Sequence, residues 1–201
     1  MRFVLASASP ARLETLRRAG IQPSVIVSDV DESVVSHDDV RMLVGELARL
    51  KAEAVASQVG DDDVVVVGCD SLLELNGEAC GKPGSPEAAA ALWRRTSGRT
   101  ARLLTGHHVI VTSAGATRTA ARTAATTVHF AALTEAEIEA YAATGEPEAV
   151  AGGFTIDGYG GAFVEGIEGD HSNVIGISLP LLRTMLAELG VSWVDLWAPS
   201  A

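Results

Sequence analysis

Lysine is almost absent from this chain of 201 residues: Lys51 and Lys82 stand against thirteen arginines. Basic residues as a whole are outnumbered, 15 Lys+Arg to 26 Asp+Glu, and a formal charge of −11 would repel a polyanionic duplex. No nucleic-acid partner is expected. No apolar run approaches the roughly 18–20 residues that a bilayer-crossing helix needs. The longest β-like run, Val64–Val67, is bounded by Asp61–Asp63 and Asp70, so no membrane partner is expected either. The apolar stretch Phe3–Ala6 is too short for a secretory signal. The two cysteines, Cys69 and Cys80, have the spacing of neither a zinc knuckle nor a redox pair. Read as free thiols, they suit a reducing compartment, and the expected location is cytoplasmic. HExxH, CxxC, Walker-type and GxSxG motifs are all missing.

What remains is a chain able to bury a sizeable core, with 47% hydrophobic and 20% charged residues and a mean hydropathy of +0.23. Phe3–Ala6 reads as a strand, Ser7–Pro10 as a turn, and residues 11–19 as a helix stopped by Gly20. Ser24–Val30 reads as a second strand. From Asp39 to Val59, apolar residues recur with a 3.6-residue period, which predicts a long amphipathic helix. Val64–Val67 lacks alternation, as a strand covered on both faces should, and is read as ending at Gly68-Cys69-Asp70. Asn76-Gly77 marks a hairpin, Ser85 caps a helix reaching to about Gly98, and Arg102–Thr112 pairs with Thr117–Phe130. Thr134 and Glu137 form a capping box. Residues 152–169 read as short strands and tight turns, Ser178–Leu189 as a last helix, and 191–201 as a loosely docked tail. The alternation predicts a mixed α/β fold without internal repeats, one domain spanning 1–201 with two lobes and no clean linker between them.

Three places can carry chemistry. Ser7-Ala8-Ser9-Pro10-Ala11-Arg12 puts two hydroxyls, a cation and the free N–H groups of a helix start together, a setting that attracts an anion. Its ordinary reading is Ser9 as a helix cap and Arg12 as a surface charge. Lys51 falls on the line of Leu47 and Val55, in the middle of the apolar stripe, where an ammonium must snorkel, pair or enter a cleft. A lysine offers a compact point charge suited to phosphate. Asp70 sits where open α/β sheets bind ligands, and can deprotonate water or hold a divalent cation; a strand-end Asp can equally bind its own turn. Asp31 and Glu32 add hard oxygen ligands on an acidic turn. His107 and His108 point to opposite faces of a strand and cannot chelate one metal.

The segments Leu5–Arg12, Asp31-Glu32, Lys51-Ala52, Gly68–Ser71, Gly81–Pro83, Ser97–Arg99, Thr105-Gly106 and Ala151–Phe154 occur in the order seen in the Maf family. From about residue 3 to residue 189 the chain resembles a Maf-type nucleoside triphosphate pyrophosphatase. The resemblance implies an α/β, inosine-triphosphatase-like fold in which a long mixed β-sheet separates two α/β lobes with a central cleft. It implies hydrolysis of a nucleoside triphosphate to the monophosphate and pyrophosphate with Mg²⁺ or Mn²⁺, and it leaves a homodimer open. By position, Asp70 matches the catalytic acid, and Ser7, Arg12, Lys51 and Lys82 match phosphate-binding positions, with Ser9 beside them in the same turn. Asp70 and Glu32 are the metal ligands so implied. Phe154, Thr155 and Asp157 become candidates for base recognition. Two other readings stand beside this one: a nucleotide-binding regulator of septum formation without turnover, and a hydrolase of another phosphate ester.

The chain departs from the family pattern at two points. Ala11 stands where many members carry a second arginine. Phe154-Thr155-Ile156-Asp157-Gly158 replaces the Tyr-Gly-Ile-Gln-Gly of members acting on dTTP and UTP. Ionised Asp157 only accepts hydrogen bonds, whereas glutamine also donates. It suits a base edge that presents N–H donors, and the base is left open.

Overall fold

The computed structural model describes residues 1–60 and 63–197, and the chain within it divides into two compact units. The first comprises 1–70, 105–124 and the chain from 176 onward; the second comprises 71–104 and 125–175. Seven strands and six α-helices lie among the described residues, and the sheet is mixed, as expected.

In the first unit β1 (Arg2–Ala6) pairs in parallel with β3 (Val64–Leu75) through Arg2↔Val64 to Ala6↔Gly68, and on its other side with the two-residue β2 (Ser24–Val25). The strand expected over Ser24–Val30 is thus cut short. Val25 and Val27 are exposed and Asp29 takes a φ of 49°, a conformation that breaks extended backbone. The first parts of β5 (Thr100–Ser113) and β6 (Ala116–Phe130) belong to different units from their ends, so β3, β5 and β6 each pass through both. Helices α1 (Pro10–Arg18) and α2 (Val40–Val59) start at Ser9 and Asp39, whose side chains accept backbone N–H groups of the first turn. One core gathers Phe3, Leu5, Val65 and Val67 against Leu16, Met185 and Leu186; a second packs Val4, Val64 and Val66 on Ala52 and Val55 of α2. β1 and β3 therefore bury both faces, which is why they read as unbroken apolar runs.

The 191–197 segment departs from the expected loose tail. Val191 is buried, Trp193 and Leu196 pack on the first core, and Trp197 bridges Ile21. Burial of these large apolar groups ties the segment down; the rest of that tail lies outside the described residues.

In the second unit β3 turns at Asn76-Gly77 into antiparallel β4 (Glu78–Cys80), and β6 pairs with antiparallel β7 (Val164–Glu168). Helices α3 (Pro86–Thr96) and α4 (Glu135–Ala142) are capped by Ser85 and by the Thr134–Glu137 box. Trp93 is the centre of the core here, edge-on to Phe130, Tyr141 and Phe163. The stretch 152–169 holds only one strand. Gly152 and Gly153 have φ of 75° and 67°, left-handed values that break extended backbone at the turn Ala151–Gly153, and a separate 3₁₀ turn occupies Tyr159–Phe163. A short helix, α5 (His171–Ile175), precedes α6 (Leu179–Glu188) of the first unit. Among the described residues no helix is long and apolar enough to cross a membrane.

Candidate active site

Asp70 lies in the middle of β3, not at its tip, because the strand continues to Leu75. Its parallel neighbour β1 stops pairing at Gly68 and turns away through Ser7–Ser9, so Asp70 stands just past the carboxyl end of β1. Gly68 and Asp70 share one face of the strand. A Cβ on Gly68 would overlap the Ala48 carbonyl and Ala52 of α2, and one on Gly106 would overlap the Val44 carbonyl. Two glycines thus let α2 lie directly on β3 and β5. At that distance Lys51, beside Ala52 on the helix, meets Asp70, two residues beyond Gly68.

The contact is short. Lys51 Nζ donates to Asp70 Oδ1 at 2.6 Å and pairs with Glu32 Oε1 at 2.6 Å. Lys51 and Asp70 are buried, whereas Glu32 is more than half exposed. Glu32 begins the 3₁₀ turn Glu32–Val34, which Asp31 caps by accepting from the Ser33 N–H at 3.0 Å and its hydroxyl at 2.6 Å. These two bonds hold the Asp31 carboxyl below its ordinary range, so Asp31 shapes the turn and Glu32 reaches the lysine.

Arg12 is also buried. Its Nε donates to the Gly176 carbonyl at 2.7 Å, and its Nη1 donates to Ser7 Oγ at 2.9 Å and to the Cys69 carbonyl at 3.0 Å. Ser7 Oγ accepts from the Ser9 N–H at 3.2 Å, and Ser9 Oγ caps α1 by accepting from the Arg12 N–H at 3.4 Å. The surface-charge reading of Arg12 therefore falls. It bridges β1, β3 and the start of the C-terminal segment. Burial raises the Asp70 carboxyl above its usual pKa; Lys51 and Arg12 pull it down without cancelling that effect, and Glu32 adds to the rise.

Five candidates, Ser7, Ser9, Arg12, Lys51 and Asp70, thus converge with Glu32 in the first unit. Lys82 is exposed in the second unit, on the loop Gly81–Gly84, which is tied down by the Gly152 N–H on the Gly81 carbonyl and the Gly84 N–H on the Glu148 carbonyl, both at 3.0 Å. Of the base-recognition candidates there, the Phe154 side chain is buried at 4% exposure and edge-on to Phe130, so it is a core residue with no face for a base. The Thr155 hydroxyl is committed to Glu146 at 2.5 Å. Asp157 is exposed. His107 and His108 are both buried, and His107 is structural: with its proton on Nδ1 toward the Thr105 carbonyl at 3.0 Å, Nε2 accepts the Ser178 N–H at 2.9 Å, just before α6.

Sequence reasoning missed the roles of Gly68, Gly106, the Gly176 carbonyl and Glu146. Pairs of glycines facing one long helix were the available sign for the first two; a backbone acceptor far along the chain leaves none.

Two carboxylates on one ammonium, beside a helix start, form a hard-oxygen donor set of the size that Mg²⁺ takes from protein when substrate phosphates supply the rest. No group of three or more His, Cys, Asp or Glu side chains able to hold a metal occurs among the described residues.

A family model described as Maf-like protein matches residues 2–189. A protein of Saccharopolyspora erythraea named nucleoside triphosphate pyrophosphatase is 57% identical, over 99% of this chain and 98% of its own length. Relatives of the same name from Cutibacterium acnes and Streptomyces coelicolor are 52% and 50% identical, over 97% and 99% of this chain and 94% and 96% of theirs. The solved Ham1 protein of Staphylococcus aureus is 23% identical with a TM-score of 0.43, covering 65% of this chain and 72% of that one. With a family match across nearly its whole length and relatives at this identity, the chain belongs to the Maf-like proteins.

Proposed function

We propose that this protein hydrolyses nucleoside triphosphates to the monophosphate and pyrophosphate, clearing unwanted or modified nucleotides from the cytoplasm. The observation that carries the reading is the buried Asp70–Lys51 pair, with Glu32 and Arg12 around it. Relatives that carry this activity in their names support it. The free thiols of Cys69 and Cys80 agree with a reducing compartment.

In the proposed step a water oxygen bonds to the α-phosphorus in line as the α–β bridging P–O bond breaks, and pyrophosphate departs with that bond's electrons. Asp70 takes the proton from the water. Its raised pKa makes it a better base than an ordinary aspartate. Lys51 releases Asp70 and Glu32 to neutralise developing charge on the leaving group. Ser7, Ser9 and the first N–H groups of α1 bind phosphate oxygens. Arg12, tied to three partners, holds the Cys69 carbonyl and the Ser7 hydroxyl in place. Asp70 and Glu32 would hold a Mg²⁺ or Mn²⁺, which supplies Lewis-acid charge neutralisation at the phosphates. Asp157 accepts N–H donors from the base.

The test is a panel of canonical and modified triphosphates incubated with the protein and Mg²⁺ or Mn²⁺. Monophosphate and pyrophosphate are the expected products. Orthophosphate would indicate another phosphate-ester hydrolase, and tight binding without turnover a regulator; either replaces the reading. Elution volume with and without nucleotide decides between monomer and homodimer.

A further inference from the structure

Glu146 opens the 3₁₀ turn Glu146–Ala149, and its carboxylate collects four donors. Oε1 accepts from the Tyr141 hydroxyl at 2.9 Å, the Thr155 hydroxyl at 2.5 Å and the Gly160 N–H at 3.0 Å. Oε2 accepts from the Tyr159 N–H at 2.9 Å. Three of these donors lie on residues 155–160, the loop that carries Asp157. The Tyr141 hydroxyl closes the set by accepting the Thr155 N–H at 3.4 Å.

The loop is cast tightly on that carboxylate. A Cβ at Gly158 would overlap the Glu146 carboxylate and the Thr155 hydroxyl, and one at Gly160 would overlap the Tyr141 hydroxyl and the Thr155 carbonyl. Asp157, Gly158 and Tyr159 are all exposed, so apolar burial does not hold this part of the loop. Burial pushes the Glu146 carboxyl up, but its donors together outweigh that and leave it below its ordinary value, ionised at neutral pH. An ionised carboxylate accepting several short bonds fixes backbone more firmly than neutral groups would.

We propose that Glu146 is a positioning residue for base selection: by clamping residues 155–160 it sets where the Asp157 carboxylate stands. The inference rests on the reading that this chain takes nucleoside triphosphates and meets the base through Asp157. Glu146 itself touches no substrate. Its loss frees the loop and blurs the choice of base without altering the grip on the phosphate tail.

The experiment measures binding of triphosphates bearing guanine, uracil or adenine, with the α–β bridging oxygen replaced by NH, and of base-free tripolyphosphate. The wild type is compared with Glu146→Ala, Glu146→Gln, Tyr141→Phe and Asp157→Asn. Glu146→Ala is expected to weaken the preferred base by about tenfold or more, the scale of one misplaced charged hydrogen bond, and to leave tripolyphosphate unchanged. Glu146→Gln can keep the Oε1 contacts and loses the Tyr159 N–H, so its shift is smaller; Tyr141→Phe removes one donor and shifts least. A Glu146→Ala protein that keeps the wild-type spread of affinities, or that loses tripolyphosphate in proportion, overturns the proposal. Should that variant not fold, an unchanged spread in both Glu146→Gln and Tyr141→Phe overturns it. If Asp157→Asn changes the preference and the Glu146 variants do not, only the positioning role fails. If Asp157→Asn changes nothing, or the wild type binds no triphosphate, the underlying reading fails and takes the inference with it.

Discussion

Asp70 and Glu146 are both carboxylates ringed by polar partners, and their environments push them in opposite directions. Asp70 is buried so deeply that desolvation outweighs Lys51 and Arg12, and its pKa rises. Glu146 sits nearer the surface with two hydroxyls and two backbone N–H groups on it, and its pKa falls. A raised carboxylate is costly to keep ionised and ready to take a proton; a lowered one is satisfied and unreactive. On the proposed reading, the comparison separates a residue that takes part in the chemistry from one that shapes a loop.

The sharpest test of that contrast is Asp70→Asn. Activity is expected to fall roughly 10²–10⁴-fold, the range for loss of a general base, while the folded state survives. A variant within a few-fold of wild-type turnover would remove Asp70 from the chemistry. Lys51→Met should follow, with a loss of roughly 10²–10³ in kcat, the scale of one missing charge-stabilising donor. Its measurement is steady-state kinetics beside a thermal melt, and an active variant would make the ammonium merely structural.

Next in size is Gly68→Ala. The added Cβ strikes helix backbone, so the overpacked variant should lose about 1–3 kcal/mol by denaturant unfolding. An unchanged midpoint would mean that α2 can shift outward at no cost.

Opposite pH slopes form a subtler test, best read by unfolding without divalent cation. The folded pKa of Asp70 lies above its unfolded value, so its contribution is favourable below about pH 3.8 and is lost as pH rises through the folded value. Asp70→Asn should therefore gain relative to wild type on going from acid to neutral pH. Glu146 runs the other way. Its depressed pKa stabilises the fold above about pH 4.5, and that contribution disappears as pH falls through the lower folded value. Glu146→Gln should lose stability at pH 7 and recover toward wild type in acid. Parallel slopes in the two variants would dissolve the comparison. The smallest effect belongs to the exposed pair Arg94–Glu135, where Arg94→Ala should leave the denaturant midpoint where it is in the wild type.

Much of this was readable in the chain. Helix caps at Ser9, Ser85, Thr134 and Ser178 depend on contacts within three residues, and each caps where expected. Lys51 announced itself as a cation in an apolar stripe that had to snorkel, pair or enter a cleft, and it pairs with Asp70. Phe154 misled, because an aromatic beside a glycine pair looks alike whether it faces a base or a core. Glu146 was invisible, lying between a helix stop at Gly145 and Pro147 with nothing to mark four donors converging on it.

The sequence by itself determined the α/β alternation, the two-sided burial of β3, and the scarcity of lysine that singled out Lys51, since periodicity and composition are local properties. Only the tertiary structure decided that Arg12 is a buried brace, that Glu32 shares the lysine with Asp70, and that a single carboxylate shapes the loop around Asp157. Those outcomes depend on which groups lose water and which find partners from distant parts of the chain, and neither is written in the spacing of neighbouring residues.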